Sequence, residues 1–237
     1  MNFQGKTAII TGSTGVLGSV VVSKFFDAGT NIAVPVRSKS FTHQLPQKML
    51  QASDRFMLVE TDLTVESQVS TLVQQVLKKF DSVDFLANIA GGYAGGSAIA
   101  EVSLDEWESV MAMNLKTAFL MCRAVLKPMT VQKFGRIVNI AAMPALTSGA
   151  KKGPYAISKR GVITLTETIA DEVKGSGITA NAIAPSTILT EGNKQSMPKA
   201  DFSKWVTPEE IADLILFLCS DSARSMSGNV VKMFGGI

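Results

Sequence analysis

Short β-branched apolar runs alternate with longer helical patterns along nearly the whole chain, and this alternation constrains the fold more than any other feature. Strand-like runs are read at Thr7–Thr11, Asn31–Val36, Arg55–Glu60, Val83–Asn88, Arg136–Ile140, Thr179–Ile183 and Asn229–Met233. Helical periodicity covers Gly18–Ala28, Glu66–Phe80, Leu104–Lys127 (one or two helices), Tyr155–Lys174 and Pro208–Cys219. Such a βαβ order predicts an α/β fold, a single doubly wound parallel sheet of the Rossmann type with helices on both faces. The runs are apolar at almost every position, as strands covered on both faces must be. No repeat, low-complexity tract or linker divides the sequence, so residues 1–237 are read as one domain. The stretch of about 185–206 has no clear element. A connection of that length is commonly functional, and its part from about 187 to 206 is read as a substrate lid.

Composition narrows the function classes. Hydrophobic residues make up 46% of the chain and charged residues 18%, which supports a sizeable core and excludes disorder. The net charge of +3 is small and the 23 Lys and Arg are scattered, so no basic arm for nucleic acid is present. Cys122 and Cys219 lie in apolar helical stretches and read as buried thiols of a reducing compartment. No uninterrupted apolar run reaches the roughly 18 residues of a membrane span, and the N-terminus runs into a strand without a signal core. A soluble cytoplasmic protein with no membrane role is expected. His43 is the only histidine and has no Cys or carboxylate cluster beside it, so no metal site is expected. Met197 and the other methionines read as core filler.

Two local patterns carry chemistry. Gly12, Ser13, Thr14, Gly15, Val16, Leu17 and Gly18 follow the first strand and open the first helix. Glycines here permit a tight turn and let a pyrophosphate approach backbone N–H groups at the positive end of a helix. The second pattern is Tyr155 with Lys159. Residues at i and i+4 share a helix face, so phenol and ammonium point into one site. A free tyrosine has a pKa near 10, and a fixed cation beside it is expected to lower that value.

The glycine turn is read as Thr-Gly-x-x-x-Gly-x-Gly rather than Gly-x-Gly-x-x-Gly, and that arrangement resembles the short-chain dehydrogenase/reductase family. Further positions fall into register along nearly the whole chain. Asp62 and Leu63 resemble the family's adenine-contacting pair, and Asn88, Ala90 and Gly91 its Asn-Asn-Ala-Gly segment, with Ile89 a departure. The resemblance implies a proton relay through Asn114 to Lys159 and makes Tyr155 and Lys159 the catalytic pair. It assigns Pro185, Ile188 and Thr190 to the nicotinamide carboxamide. It also implies a homo-oligomer, a homotetramer or homodimer built on the helices near 104–127 and 155–174.

The end of the second strand addresses the choice of cofactor. Val36 stands where NAD-preferring relatives carry Asp, and Arg37, Ser38 and Lys39 follow. A guanidinium suits a 2′-phosphate, so NADP(H) is expected, with NAD(H) the alternative if Arg37 stacks on adenine or is solvated. The family's usual serine, thirteen residues before Tyr155, is Ala142. Three readings follow. Thr147 or Ser148 supplies the hydroxyl, the substrate needs less polarisation, or the chain is a weakly catalytic NADP(H)-binding sensor. Losing one such donor costs on the order of 10²–10³ in rate. The second reading draws on Ala90–Gly96 and Ser196–Trp205, which look similar to segments of dihydropteridine reductase, a branch that also has Ala in the serine's place. Substrates considered are a 3-oxoacyl thioester, a ketone or a quinonoid pterin. Tyr93 either stacks on a planar substrate or faces solvent. Phe202 and Trp205 either close over substrate or anchor their loop.

Overall fold

The computed structural model describes residues 1–38, Met49 and residues 51–237. Lys39 and His43, singled out above, lie outside the described residues. Among them seven strands form one parallel sheet: β1 (Thr7–Ile10), β2 (Asn31–Val36), β3 (Phe56–Glu60), β4 (Phe85–Asn88), β5 (Gly135–Ile140), β6 (Ile178–Pro185) and β7 (Val230–Met233). Their order is β3-β2-β1-β4-β5-β6-β7. The chain winds outward from β1 to β3, then returns to β4 on the other side of β1. A crevice opens at the carboxyl ends of β1 and β4, where the winding reverses.

Strand alternation sends successive side chains into two separate cores. Ala8 and Ile10 pack with Val21, Val22 and Phe25 of α1 (Val16–Asp27) and Ile211 and Ile215 of α7 (Pro208–Cys219). Ile9 points the other way, to Val69, Leu72 and Val73 of α2 (Glu66–Phe80) and Leu120 and Met121 of α4 (Thr117–Gln132). Each fully buried Ile, Leu or Phe stabilises the fold by about 1.5–3 kcal/mol. Cys122 and Cys219 are free and buried, as expected.

The long helical pattern becomes one rod. The helix α3 (Leu104–Met111) runs through a π-turn, Ala112–Lys116, into α4. The rod outlasts its expected end at Lys127 and reaches Gln132 despite Pro128 inside it. The rod is long and apolar enough to cross a membrane by length and composition, with a mean hydropathy of 1.3 over its most apolar window. Its apolar side chains Leu120, Met121, Val125 and Met129 instead fill the core beside the sheet. Strand β4 starts at Phe85 rather than Val83. Asp84 explains this, because its carboxylate accepts from the Thr7 amide and from Lys6, both at 2.9 Å. The region around 185–206 holds a short helix, α6 (Glu191–Ser196), and a 3₁₀ turn, Phe202–Lys204, which its polar sequence did not reveal.

A polar ladder crosses the second core beneath the helix that carries Tyr155, α5 (Gly153–Glu172). Asn139 is fully buried on β5. Its Oδ1 accepts from Asn88 Nδ2 at 2.8 Å and its Nδ2 donates to Thr166 Oγ1 at 2.9 Å. Thr166 then donates to the Val162 carbonyl at 2.7 Å. β4, β5 and α5 are thereby held in one register. Replacing Asn139 takes one buried hydrogen bond from Asn88 and one from Thr166, at about 0.5–1.5 kcal/mol each, while Cys122 and the Val162 carbonyl remain as their partners. Asn139→Ala is therefore expected to lower unfolding stability by roughly 1–3 kcal/mol. Urea denaturation would read this as a lower midpoint at unchanged slope.

Candidate active site

At the switch point, the turn after β1 is built on close backbone contacts. A Cβ on Gly18 would lie 2.0 Å from the Gly12 carbonyl oxygen, and one on Gly12 (φ +68°) 2.8 Å from the Ala90 amide nitrogen. Thr11 Oγ1 accepts from the Ile89 and Ala90 amides, both at 3.0 Å. No side chain caps α1 at Gly15, and no acidic residue stands in its first turn. Uncapped amides at the positive end of a helix suit a pyrophosphate, so the turn fits a dinucleotide. One detail of the expected pattern is corrected. Its middle glycine falls at position 16, which holds Val16, and the spacing is Gly-x-x-Gly-x-x-Gly. Val16 is the first residue of α1 and lines the cleft. A first helical position has ordinary backbone and does not demand glycine.

A cleft of about 1100 Å³ runs from this turn across the carboxyl ends of the strands. One end holds Val36, Arg37, Asp62 and Leu63. Asp62 Oδ1 accepts from the amide and hydroxyl of Thr64 at 2.8 and 2.7 Å. Those bonds hold its carboxyl below the usual range, with the positive charges of Arg37 and Lys116 adding to the effect. The other end holds Ala90, Gly91, Tyr93, Ala142, Tyr155, Lys159, Pro185, Ile188 and Thr190.

Pro154 near the start of α5 sets the helix running just before Tyr155, so Tyr155 and Lys159 open one turn apart on the cleft. Lys159 is buried, and its Nζ donates to the Ile140 carbonyl at 2.8 Å. Burial pushes this ammonium down to about 8. The phenol of Tyr155 does not follow the expectation of a lowered pKa. Burial first, and then the neighbouring Tyr93, push it up to about 12. The cation that was expected to favour the phenolate is directed at a carbonyl, so desolvation wins.

The π-turn places Asn114 against the loop after β4. Its Oδ1 accepts from the Gly92 amide at 3.0 Å and its Nδ2 donates to the Gly92 carbonyl at 3.1 Å. A Cβ on Gly91 would lie 2.5 Å from Asn114 Oδ1 and 3.2 Å from Lys159 Nζ. Both side chains thus converge on this glycine, although the Asn114 side chain bonds to Gly92 and not to the lysine.

Several expected site residues sit elsewhere. Ser13 is enclosed in the turn, with its Oγ buried and unpartnered, and does not line the cleft. Asn88 is spent on the Asn139 ladder. Ser38 is half-buried outside the lining. Thr147 turns its hydroxyl back to the Met143 carbonyl at 3.2 Å, and Ser148 is exposed. Neither lines the cleft beside Ala142: Thr147 ends a single helical turn, Pro144–Thr147, and Ser148 follows it. Trp205 is buried against Phe202, with ring centroids 4.8 Å apart, and anchors its segment. Met197 is no core filler, since it is 39% exposed and lines the cleft. Sequence reading also passed over Met143, Pro144, Lys152, Ser186 and Asn193 in the lining. Their only signal was nearness in sequence to Ala142, Tyr155, Pro185 and Thr190.

Comparison with known proteins agrees with this geometry. The short chain dehydrogenase family description matches residues 6–201. The 3-oxoacyl-[acyl-carrier-protein] reductase FabG of Aquifex aeolicus is 29% identical, covering 100% of this chain and 99% of that protein. The D-beta-hydroxybutyrate dehydrogenase of Rhizobium meliloti is also 29% identical, covering 98% of each. The crystal structure of levodione reductase superposes with a TM-score of 0.91 at 27% identity, covering 99% of this chain and 98% of that one. With its parallel sheet, its glycine turn and the Tyr155–Lys159 pair opening on one cleft, the chain belongs to the short-chain dehydrogenase family of NAD(P)-dependent oxidoreductases.

Proposed function

We propose that this chain is an NADP(H)-dependent oxidoreductase moving hydride between the nicotinamide and a small carbonyl or imine-like substrate, such as a 3-oxoacyl thioester, a ketone or a quinonoid pterin. The observation that carries the reading is the single cleft joining the α1 turn to Tyr155 and Lys159. The bound cofactor supplies the hydride or accepts it. In the reductive direction Tyr155 holds a proton at Oη and passes it to the substrate oxygen or nitrogen. Lys159 binds the ribose beside it, Asn114 fixes the loop that carries Gly91, and the turn from Gly12 to Gly18 holds the pyrophosphate. The segment of 187–206 forms one wall through Ile188, Thr190, Asn193 and Met197 and is read as the substrate lid.

The NADP(H) preference is supported by Arg37, exposed at the rim directly after Val36, with no carboxylate at the end of β2. Arg37→Ala is expected to raise KM for NADPH by ~10-fold or more, the worth of a charge-assisted hydrogen bond, and to leave KM for NADH nearly unchanged. Steady-state kinetics with both cofactors checks this, and a wild-type preference for NADH would refute it.

Ala142 favours a second reading, an NADP(H)-binding sensor of low turnover. Its methyl lines the cleft where a hydroxyl is expected, and the Ser186 hydroxyl is committed to the Phe234 carbonyl at 3.0 Å. A panel of ketone, acyl-thioester and pterin substrates separates the two. Turnover that Tyr155→Phe abolishes while NADPH fluorescence still reports binding is the expected result, with a gain on ketones in Ala142→Ser. Tight NADPH binding without turnover on any substrate would select the sensor.

The pH profile follows from the two shifted groups. Tyr155 stays protonated up to about 12 and imposes no alkaline limb below that. Lys159 is an ammonium below about 8 and neutral above it. Reductive kcat/KM is therefore expected to be flat on the acid side of this value and to fall about tenfold per pH unit above it. In Lys159→Arg that limb should move out of range. A wild-type profile flat well beyond pH 8 would show that the cation is not required.

A further inference from the structure

Tyr93 and Tyr155 are the only two tyrosines in the chain, and they meet in this cleft. Their ring centroids are 5.1 Å apart at 74°, an edge-to-face contact. Tyr155 comes from α5, and Tyr93 from the glycine-rich loop after β4. Two features hold that loop in place. The Gly96 amide donates to the Lys151 carbonyl at 2.8 Å. A Cβ on Gly95 would lie 2.8 Å from that same carbonyl oxygen and 2.8 Å from Tyr93 Oη. Gly95 thus lets the loop close onto residue 151 with the Tyr93 phenol folded across it. The receiving segment is itself constrained, since Ser148 (φ 56°) and Lys151 (φ 62°) sit in the left-handed region without being glycine. Tyr93 is 62% exposed, and its ring lies against Gly95 as well as Tyr155.

We infer that Tyr93 is a positioning residue for Tyr155, whose ring keeps water from the Tyr155 phenol, fixes its plane and keeps it in the proton-bearing form. This rests on the reading of Tyr155 as proton donor. The site is thereby biased towards reduction, because one proton leaves Tyr155 Oη for each hydride that the substrate accepts. The ionisable groups facing Tyr155 in the cleft are few. They are Lys152 and Lys159 on its own segment and Tyr93 from the loop after β4. Among the described residues, the cleft lining after β6 brings no ionisable side chain, and Arg37 and Asp62 stand at the far end of the cleft. With cations the charges close by among the described residues, burial keeps the phenol protonated, and the neighbouring Tyr93 adds to it.

Having only two tyrosines makes the test direct. In Tyr93→Phe and Tyr93→Ala, tyrosinate absorbance reports Tyr155 alone. The protein without cofactor or substrate is jumped to about pH 11, between the ordinary phenol value near 10 and the raised value of about 12. Far-UV circular dichroism confirms the native fold during the reading, and Tyr93→Leu replaces Tyr93→Ala if the alanine variant unfolds. Tyr93→Phe keeps the ring and should stay protonated, whereas Tyr93→Ala should ionise. Tyr155 in the same state in the phenylalanine and alanine variants, whether both protonated or both ionised, would overturn the inference. A substrate-stacking or merely structural Tyr93 would not move this titration. The readout needs no turnover, so inactivity of the wild-type protein would count against the proposed function alone.

Discussion

One hydroxyl holds the two walls of the crevice together. Thr11 Oγ1 accepts the amides of Ile89 and Ala90, which stand at the end of β4, while Thr11 itself ends the run of β1. Strands β1 and β4 already pair from Ala8 to Ile10, and the hydroxyl extends that union one step past the ladder. At this step the chain must turn away on both sides. The bond lets Gly12 back onto Ala90 so closely that no side chain fits between them. Both sides of the cleft nearest this point hang from the junction. The α1 amides are aimed by the turn on one side. Gly91 and Gly92 on the other side receive Asn114 and border Lys159. A buried amide left unpaired costs about 1–3 kcal/mol, so one oxygen serving two amides is a strong local constraint.

Much of this was legible in the sequence because it depends on periodicity and on residues without substitutes. The limits of β2, α2 and α7 agree with the expected ones, since apolar period and turn residues coincide there. The Tyr155–Lys159 pair needed only the helix repeat. What was not legible depended on three-dimensional competition. Asn88 looked like a cofactor residue, and only the fold shows its side-chain amide donating to Asn139 and Cys122. Thr147 and Ser148 were close enough in sequence to replace a missing hydroxyl, but neither lines the cleft. Met197 looked like core material, and its place in the cleft wall follows from α6, a helix too short and polar to register as a pattern.

The Tyr155–Lys159 pair shows how burial overrides a simple charge argument. A cation at contact distance lowers a phenol's pKa when its charge reaches the oxygen. Here the ammonium of Lys159 is turned to a carbonyl, and both groups have lost water. Desolvation disfavours whichever form is charged, so it raises the tyrosine and lowers the lysine together. The balance favours the neutral phenol of Tyr155. The site is therefore arranged to hold a proton firmly at Tyr155, with a lysine that is a cation only up to mildly alkaline pH.

Ala142 then bears on what such a site can reduce. A hydroxyl in its place would polarise the substrate oxygen before hydride arrives, and a methyl offers only contact. Around it the wall is Met143, Pro144, Tyr93 and Met197, a soft apolar surface with one aromatic ring already engaged by Tyr155. Such a wall recognises shape and apolar area more than a single polar atom. On the proposed mechanism, a proton-ready Tyr155 compensates in part, because it can donate at the moment charge develops without polarising the ground state. Substrates that are already electron-poor, through conjugation or an imine-type nitrogen, lose least from the missing hydroxyl. Simple ketones lose most, which is why the single change at position 142 separates the candidate substrates more sharply than any change at Tyr155 or Lys159.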